Sequence, residues 1–224
     1  LGADGNCNQA GILTQKGSGG ITIANGTHVG DPYVDSCSPD GVDLQDSGFV
    51  SPNPILMPPG GGCSGHCDGG QVVNTTTQYT DPFAAVPAPT CSPANTTSTG
   101  KWNVPSTLSA GIYCVTGTAQ ATFGDVTATN VLFYFGPNAT PVINGNVTVT
   151  PPASGTYAGL AMMWRPAGGT ALNIKNATWS SPSGVFYTPG VDLSLGPGGG
   201  TTAFTAGEAI LESITVQSGS VLVG

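Results

Sequence analysis

Six cysteines, a run of aspartates and one Cys-His-Cys cluster are the residues of this 224-residue chain whose types and spacing could do chemistry. The cysteines are Cys7, Cys37, Cys63, Cys67, Cys91 and Cys114. An even number in an acidic chain rich in Thr, Asn and Gly points to disulfides, and so to an oxidising compartment: extracellular space or a cell surface. Six cysteines allow many connectivities, and sequence does not choose among them. Nearness along the chain gives the expectation Cys7–Cys37, Cys63–Cys67 and Cys91–Cys114, each closing a Pro/Gly-rich loop with little core of its own. Links of that kind stabilise by ~2–4 kcal/mol. Cys63-Ser64-Gly65-His66-Cys67 also offers three zinc-type ligands. A structural zinc site uses four, usually from two knuckles, and His28 is the one other histidine, so a small cystine loop is the expectation.

The aspartates are Asp31, Asp35, Asp40, Asp43 and Asp46. Calcium is the cation that such oxygen-rich, glycine-containing loops take. The run Asp40-Gly41-Val42-Asp43-Leu44-Gln45-Asp46 departs from the EF-hand spacing, and the competing reading is a solvated acidic loop. No other cofactor is expected. For catalysis the acids Asp125, Asp192, Glu208 and Glu212 and the bases Arg165 and Lys175 are on offer. Glycoside hydrolysis needs paired carboxylates, and elimination needs a positioned base. None of these residues has a recognisable neighbour pattern, and Arg165, after Met162-Met163-Trp164, reads as stacking on an aromatic ring. No nucleophile elbow, P-loop or dinucleotide fingerprint occurs, and Gly196-Pro197-Gly198-Gly199-Gly200 reads as a turn. The chain is expected not to be an enzyme. Sequons stand at Asn25, Asn74, Asn95, Asn138, Asn146 and Asn176. These are glycan acceptors in a secreted eukaryotic protein, although composition alone generates them. Asn also tolerates left-handed corners, and stacked Asn side chains form hydrogen-bonded ladders.

The elements that must position these residues are strands. Charged residues make up 7% of the chain, with four Lys and Arg in all and a net charge of −8. That excludes a surface tracking nucleic acid or anionic lipid, which needs clustered cations. Gly 35 and Pro 19 break every window that could run as an amphipathic helix. The best helical candidate, residues 206–213, fits a strand equally well. From residue 121 onward, β-branched runs return at loose intervals, separated by Gly, Asn, Pro and Ser: residues 126–133, 141–149, 171–178, 184–187, 191–195 and 214–223. No single run buries its own apolar side; stacking one coil on the next does. The expected fold is all-β, a single-stranded right-handed parallel β-helix with an irregular disulfide-rich N-terminal region. It is read as one domain, 1–224, with irregular first coils over 1–57, a Pro/Gly-rich insertion over 58–100 and regular coils over 101–224. The N-terminal region is expected to cap one end, leaving the apolar C-terminal coil Val221-Leu222-Val223-Gly224 open to a partner. No apolar stretch approaches the ~20 residues that span a bilayer. Leu1-Gly2-Ala3-Asp4 reads as a processed or truncated start, so a leader or anchor would lie outside the chain.

An ordered set of short segments resembles one family. Asp81-Pro82-Phe83-Ala84-Ala85-Val86-Pro87-Ala88-Pro89-Thr90-Cys91 is similar to the "DPLAGLPAP" segment of TadG-like proteins associated with Flp/Tad pilus assembly. Leu108-Ser109-Ala110-Gly111-Ile112-Tyr113-Cys114 resembles their "L-x-P-G-x-Y-C". Ser154-Gly155-Thr156-Tyr157-Ala158-Gly159-Leu160 resembles "SGPYAGI", and Gly184-Val185-Phe186-Tyr187-Thr188-Pro189 resembles "GTIYFP". Residues 210–216 are similar to the closing strand "I-x-x-x-x-I-x-I". The resemblance covers residues 81–216. Where the family often has "FFQDR", this chain has Ala161-Met162-Met163-Trp164-Arg165. The resemblance implies an extracytoplasmic ectodomain and no catalytic residue. The expected role is structural, in a cell-surface assembly such as a pilus or filament, with protein subunits, including copies of itself, as partners. The alternative is an adhesin that binds glycans through Trp102, Trp164, Trp179, Tyr157 or Tyr187; a polysaccharide-active enzyme is the third reading.

Overall fold

The computed structural model describes residues 13–16, 18–23, 32–45, 49–67, 72–76, 80–166, 170–196 and 201–223. The chain forms a parallel β-solenoid of about eight turns. Among the described residues the helical content is one 3-10 turn, Pro93–Asn95. Residues 206–213 lie within the strand Ala203–Val216.

Each turn lays down strands on three faces. The first face carries Thr96–Thr97, Gly111–Val115, Val131–Phe135, Leu160–Trp164 and then residues 185–188 and 208–211. The second carries Lys101–Val104, Gln120–Phe123 and Thr140–Ile143, and, after a break in the ladder, Thr170–Ile174, 191–195 and 213–216. The third carries Thr107–Leu108, Val126–Thr129, Asn146–Thr150, 178–181, 203–206 and Ser220–Val223. The long strands Thr178–Leu195 and Ala203–Val216 bend around all three faces, and register shifts at Ser181/Val185 and Thr188/Asp192 mark the corners.

The period-2 pattern puts one side of each strand inward. In Asn146–Thr150, Val147 and Val149 are buried while Asn146, Thr148 and Thr150 are exposed. Aromatic rings fill the interior from rung to rung: Phe123 meets Phe133 edge-on at 4.9 Å, Trp179 meets Phe186 at 5.2 Å, and Phe186 meets Phe204 at 5.1 Å. Edge-to-face pairs contribute ~0.5–1.5 kcal/mol beyond their burial. Corners use left-handed Asn130 (φ 58°) and Asn176 (φ 51°), as short amide side chains permit. At the corner before the third face, a Cβ on Gly145 would collide with the backbone of Gly124 one rung away, so only glycine lets those rungs close.

The order of rungs differs from the order of the chain. Leu13–Gln15 lies between residues 214–216 and Val42–Leu44 on the second face, and Cys63–Gly65 follows Val42–Leu44. On the third face Gly20–Ile23 lies between Ser220–Val223 and Phe49–Val50. The N-terminal coils therefore continue the stack from its C-terminal coil. This corrects the expectation of an open C-terminal edge: Ser220–Val223 is paired on both sides. It also reorders the described strands of residues 13–57, which follow the C-terminal coil in the stack instead of preceding the regular coils. The stretch 58–100 is not one loop. Ile55–Met57 pairs with Val72–Asn74, Cys63–Gly65 is a rung, and Thr96–Thr97 opens the stack at the far end.

Candidate functional site

A chain that finishes at one end of its stack and restarts at the other must return along the outside. Residues 80–92 do this as a proline-rich strap across the first face, turning at residues 82–85 and without regular structure beyond them. The track beneath is a column of outward-facing side chains in register: Cys114, Tyr134, Met163, Tyr187 and Ile210. Cys91 forms a disulfide with Cys114, tacking one end of the strap to the first residue of that column. Phe83 and Val86 pack against the apolar surface made by Leu132, Leu160, Met163, Tyr187 and Ile210. These five are buried although they point away from the interior.

Arg165 clamps the strap at its middle. Its Nη1 donates to the carbonyl of Val86 at 2.9 Å, its Nη2 to that of Phe83 at 2.5 Å, and its Nε to the Tyr187 hydroxyl at 3.3 Å. The guanidinium lies 4.9 Å from the centre of the Tyr187 ring, the stacking expected for this residue. The Tyr187 hydroxyl donates to Asp81 Oδ2 at 2.8 Å, and Asp81 Oδ1 accepts from the amide of Phe83 at 2.8 Å. Burial first, then the bond to the Asp81 carboxylate, raises the phenol pKa above its ordinary value; the bond from Arg165 offsets part of this. Asp81, Arg165 and Tyr187 are thus assigned to holding the strap. Sequence reasoning did not find this group. A signal was present: Leu160-Ala161-Met162-Met163-Trp164 is apolar at every position, as in strands covered on both sides.

The remaining sequence candidates are scattered along the stack. Cys63 pairs with Cys67, so neither thiol can ligate zinc. Cys37 is also disulfide-bonded; Cys7 lies outside the described residues. Asp35 and Asp43 are half-buried and Asp40 is exposed. Among the described residues no three His, Cys, Asp or Glu gather as a metal site; Asp31 and Asp46 lie outside them. Asp43 accepts from Gln45 Nε2 at 2.9 Å. Asp125 accepts from the Asn146 amide at 2.8 Å and from its side chain at 3.1 Å, and Asn146 Oδ1 accepts from Thr178 Oγ1 at 3.0 Å. This is a side-chain relay across three successive rungs. Asp192 accepts from Ser213 Oγ at 2.5 Å on the next rung. Glu208 lies on the first face, and Glu212 lies at the corner between the first and second faces.

Of the sequon residues, Asn176 is a left-handed corner, Asn138 is exposed in a turn, and Asn74 bonds to the carbonyls of Pro58 and Gly61. Asn95 is half-buried in the 3-10 turn, and Asn25 lies outside the described residues. Of the aromatic residues, Trp164 and Trp179 are interior and Tyr187 is under the strap. Trp102 stacks on Tyr113, and Tyr157 borders a shallow groove of about 360 Å³ with Ile112 and Asn130. No helix among the described residues is long and apolar enough to cross a membrane. No family model, curated protein or solved structure matches the chain.

Proposed function

We propose that this chain is a structural subunit of an extracellular surface assembly, of the pilus- or filament-associated kind that the TadG-like resemblance implies. The observation that carries the reading is the pair of stack ends. Among the described residues, Thr96–Thr97, Lys101–Val104 and Thr107–Leu108 are paired on one side only, and so are Phe49–Val50, Cys63–Gly65 and Val72–Asn74 at the opposite end. Open parallel edges are templates for another chain. Two different ends on one axis make a heterologous, head-to-tail contact, which propagates as a filament when it does not close. At the second end Val50 and Val73 are 58% and 42% exposed, leaving apolar surface for a neighbour to cover. The disulfides support an oxidising compartment. The segment most like the family's Pro-rich motif is the strap, and the cysteine of the "L-x-P-G-x-Y-C"-like segment is its anchor, so the resemblance falls on parts of the fold that depend on each other.

The test has two arms. Surface material sheared from the source cells is probed for the protein, and the purified chain is concentrated and imaged. About eight turns at ~4.8 Å per rung give an axial repeat of ~40 Å. Absence from sheared material together with a monomer at every concentration refutes the reading. Glycan binding is the second reading. It rests on the groove beside Tyr157, where an aromatic ring and the Asn130 amide face one opening. A glycan array without hits removes it.

A further inference from the structure

We infer that the third face of the solenoid is an ice-binding surface. The inference goes beyond the structural role proposed above and uses neither end of the stack. It starts from a column of outward side chains that runs through eight successive rungs without a charge. Thr107, Thr127, Thr148, Ser180 and Thr205 stand in register on neighbouring strands. Leu222, Thr22 and Val50 continue the same column to the far end. Thr107, Thr127 and Thr148 are exposed, so no part of the described chain covers them. Two residues earlier along the strands, Asn146, Thr178, Ala203 and Ser220 form a flanking column. On the other side Thr129 and Thr150 add an exposed pair.

The residue types and their spacing select the ligand. No residue of these columns is charged, although the chain carries a net charge of −8 and the second face holds Lys101, Asp192 and Asp43. A charged ligand therefore finds no counterion here. Trp, Tyr and Arg, the anchors of protein interfaces, are missing from the columns too. What the face offers is a neutral array of hydroxyls that donate and accept, most of them beside a methyl group. Rungs lie ~4.8 Å apart, and alternate residues of one strand ~6.6 Å apart. Both repeats are close to the oxygen–oxygen repeats on a prism plane of ice, so water held by these hydroxyls already stands near its place in the crystal. The array is also stiff. Thr is restricted at χ1, and buried Val147, Trp179, Phe204 and Val221 fix the strands behind it. The relay Asp125–Asn146–Thr178 pins the flanking column. A preorganised surface loses little freedom when water orders on it.

The experiment cools the purified full-length chain around a single ice crystal and measures the gap between melting and growth temperatures. The expected result is a faceted crystal and a gap that widens with protein concentration. Thr127→Lys and Thr148→Lys put a hydrated charge at exposed positions of the face, and each should reduce the gap several-fold. Asn173→Lys adds the same charge at an exposed position of the second face and should leave the gap unchanged. Circular dichroism checks that all three variants keep the wild-type fold. A fluorescent wild-type chain should also enter a growing ice hemisphere that excludes Thr148→Lys. An unfaceted crystal without a gap overturns the inference, and so does a gap that folded Thr127→Lys and Thr148→Lys retain in full. Self-association that Thr148→Lys abolishes, in a chain without effect on ice, overturns it and gives the face to a second copy. None of these readouts involves the stack ends, so failure here leaves the structural reading to its own test.

Discussion

Replacing Arg165 with Met should release the strap while leaving the stack intact. The side chain is half-buried and makes two charged hydrogen bonds to strap carbonyls. Such bonds contribute ~1.5–3 kcal/mol each when well shielded, and partial exposure places these near the lower value. The guanidinium over the Tyr187 ring adds ~0.5–1 kcal/mol. Together the clamp holds the strap by about 3–4 kcal/mol, and each 1.4 kcal/mol is tenfold, so the strap should open at least a hundredfold more often. The readout is amide hydrogen exchange at Phe83 and Val86, whose N–H groups donate to Asp81 Oδ1 and to the Phe83 carbonyl inside the strap. Their protection should fall by about two orders of magnitude. The amides of Val131–Phe135 should change little, because Cys91–Cys114 still tethers the strap. Arg165→Lys should recover less than half of the loss, since an ammonium lacks the fork that reaches two carbonyls at once. Unchanged exchange at Phe83 and Val86 in Arg165→Met would refute the clamp.

Further perturbations separate the other contributions. Tyr187→Phe keeps the ring contact with Phe83 but loses the bond to Asp81, and should weaken strap protection by ~1–2 kcal/mol. The raised phenol pKa means that the folded chain holds this proton more tightly than the unfolded one; the stabilisation is complete below pH ~10 and is lost as pH rises through the folded value, so Tyr187→Phe should flatten an alkaline denaturation curve. Trp179→Ala should cost ~3–5 kcal/mol in a denaturant titration, whereas Trp179→Phe should cost far less, because the buried indole N–H has no hydrogen-bond partner to lose. Removing Cys91–Cys114, which closes a separation of 23 residues, should destabilise by ~3 kcal/mol, more than removing Cys63–Cys67 with its separation of 4, as differential scanning calorimetry can compare.

The winding of the backbone was legible because it is written locally. Val147 and Val149 alternate with Asn146, Thr148 and Thr150, and glycine and asparagine mark the corners, so each rung announces itself. Cys63–Cys67 and Cys91–Cys114 were reachable by proximity for the same reason. The order of the stack was not legible. Parallel pairing of Ile21 with Val221 leaves no local trace, since any alternating strand could accept any other as its neighbour. Proline marked residues 58–100 as lying outside the ladders, which holds for residues 80–92 but not for Cys63–Gly65, Val72–Asn74 and Thr96–Thr97. The docking of residues 80–92 could have been anticipated only by asking why Leu160–Trp164 and Val131–Phe135 are apolar on both sides. Arg165 was read as a ring-stacking residue, and it is one; its second role depends on carbonyls 79 and 82 residues away in sequence, which no neighbour pattern encodes. The aspartate run is not gathered by its closeness in sequence: Asp43 sits on a rung and Asp40 in the turn before it, while Asp31 and Asp46 lie outside the described residues.

The claim on which the rest depends is that the chain enters its own stack part-way along, with Gly20–Ile23 against Ser220–Val223. Backbone amide NOEs in the deuterated, 15N-labelled protein test it most directly. Cross-peaks linking residues 21 and 22 to residues 221 and 222 are expected, with slow exchange on both strands. Fast-exchanging amides at 220–223 and no contact with 20–23 would contradict it.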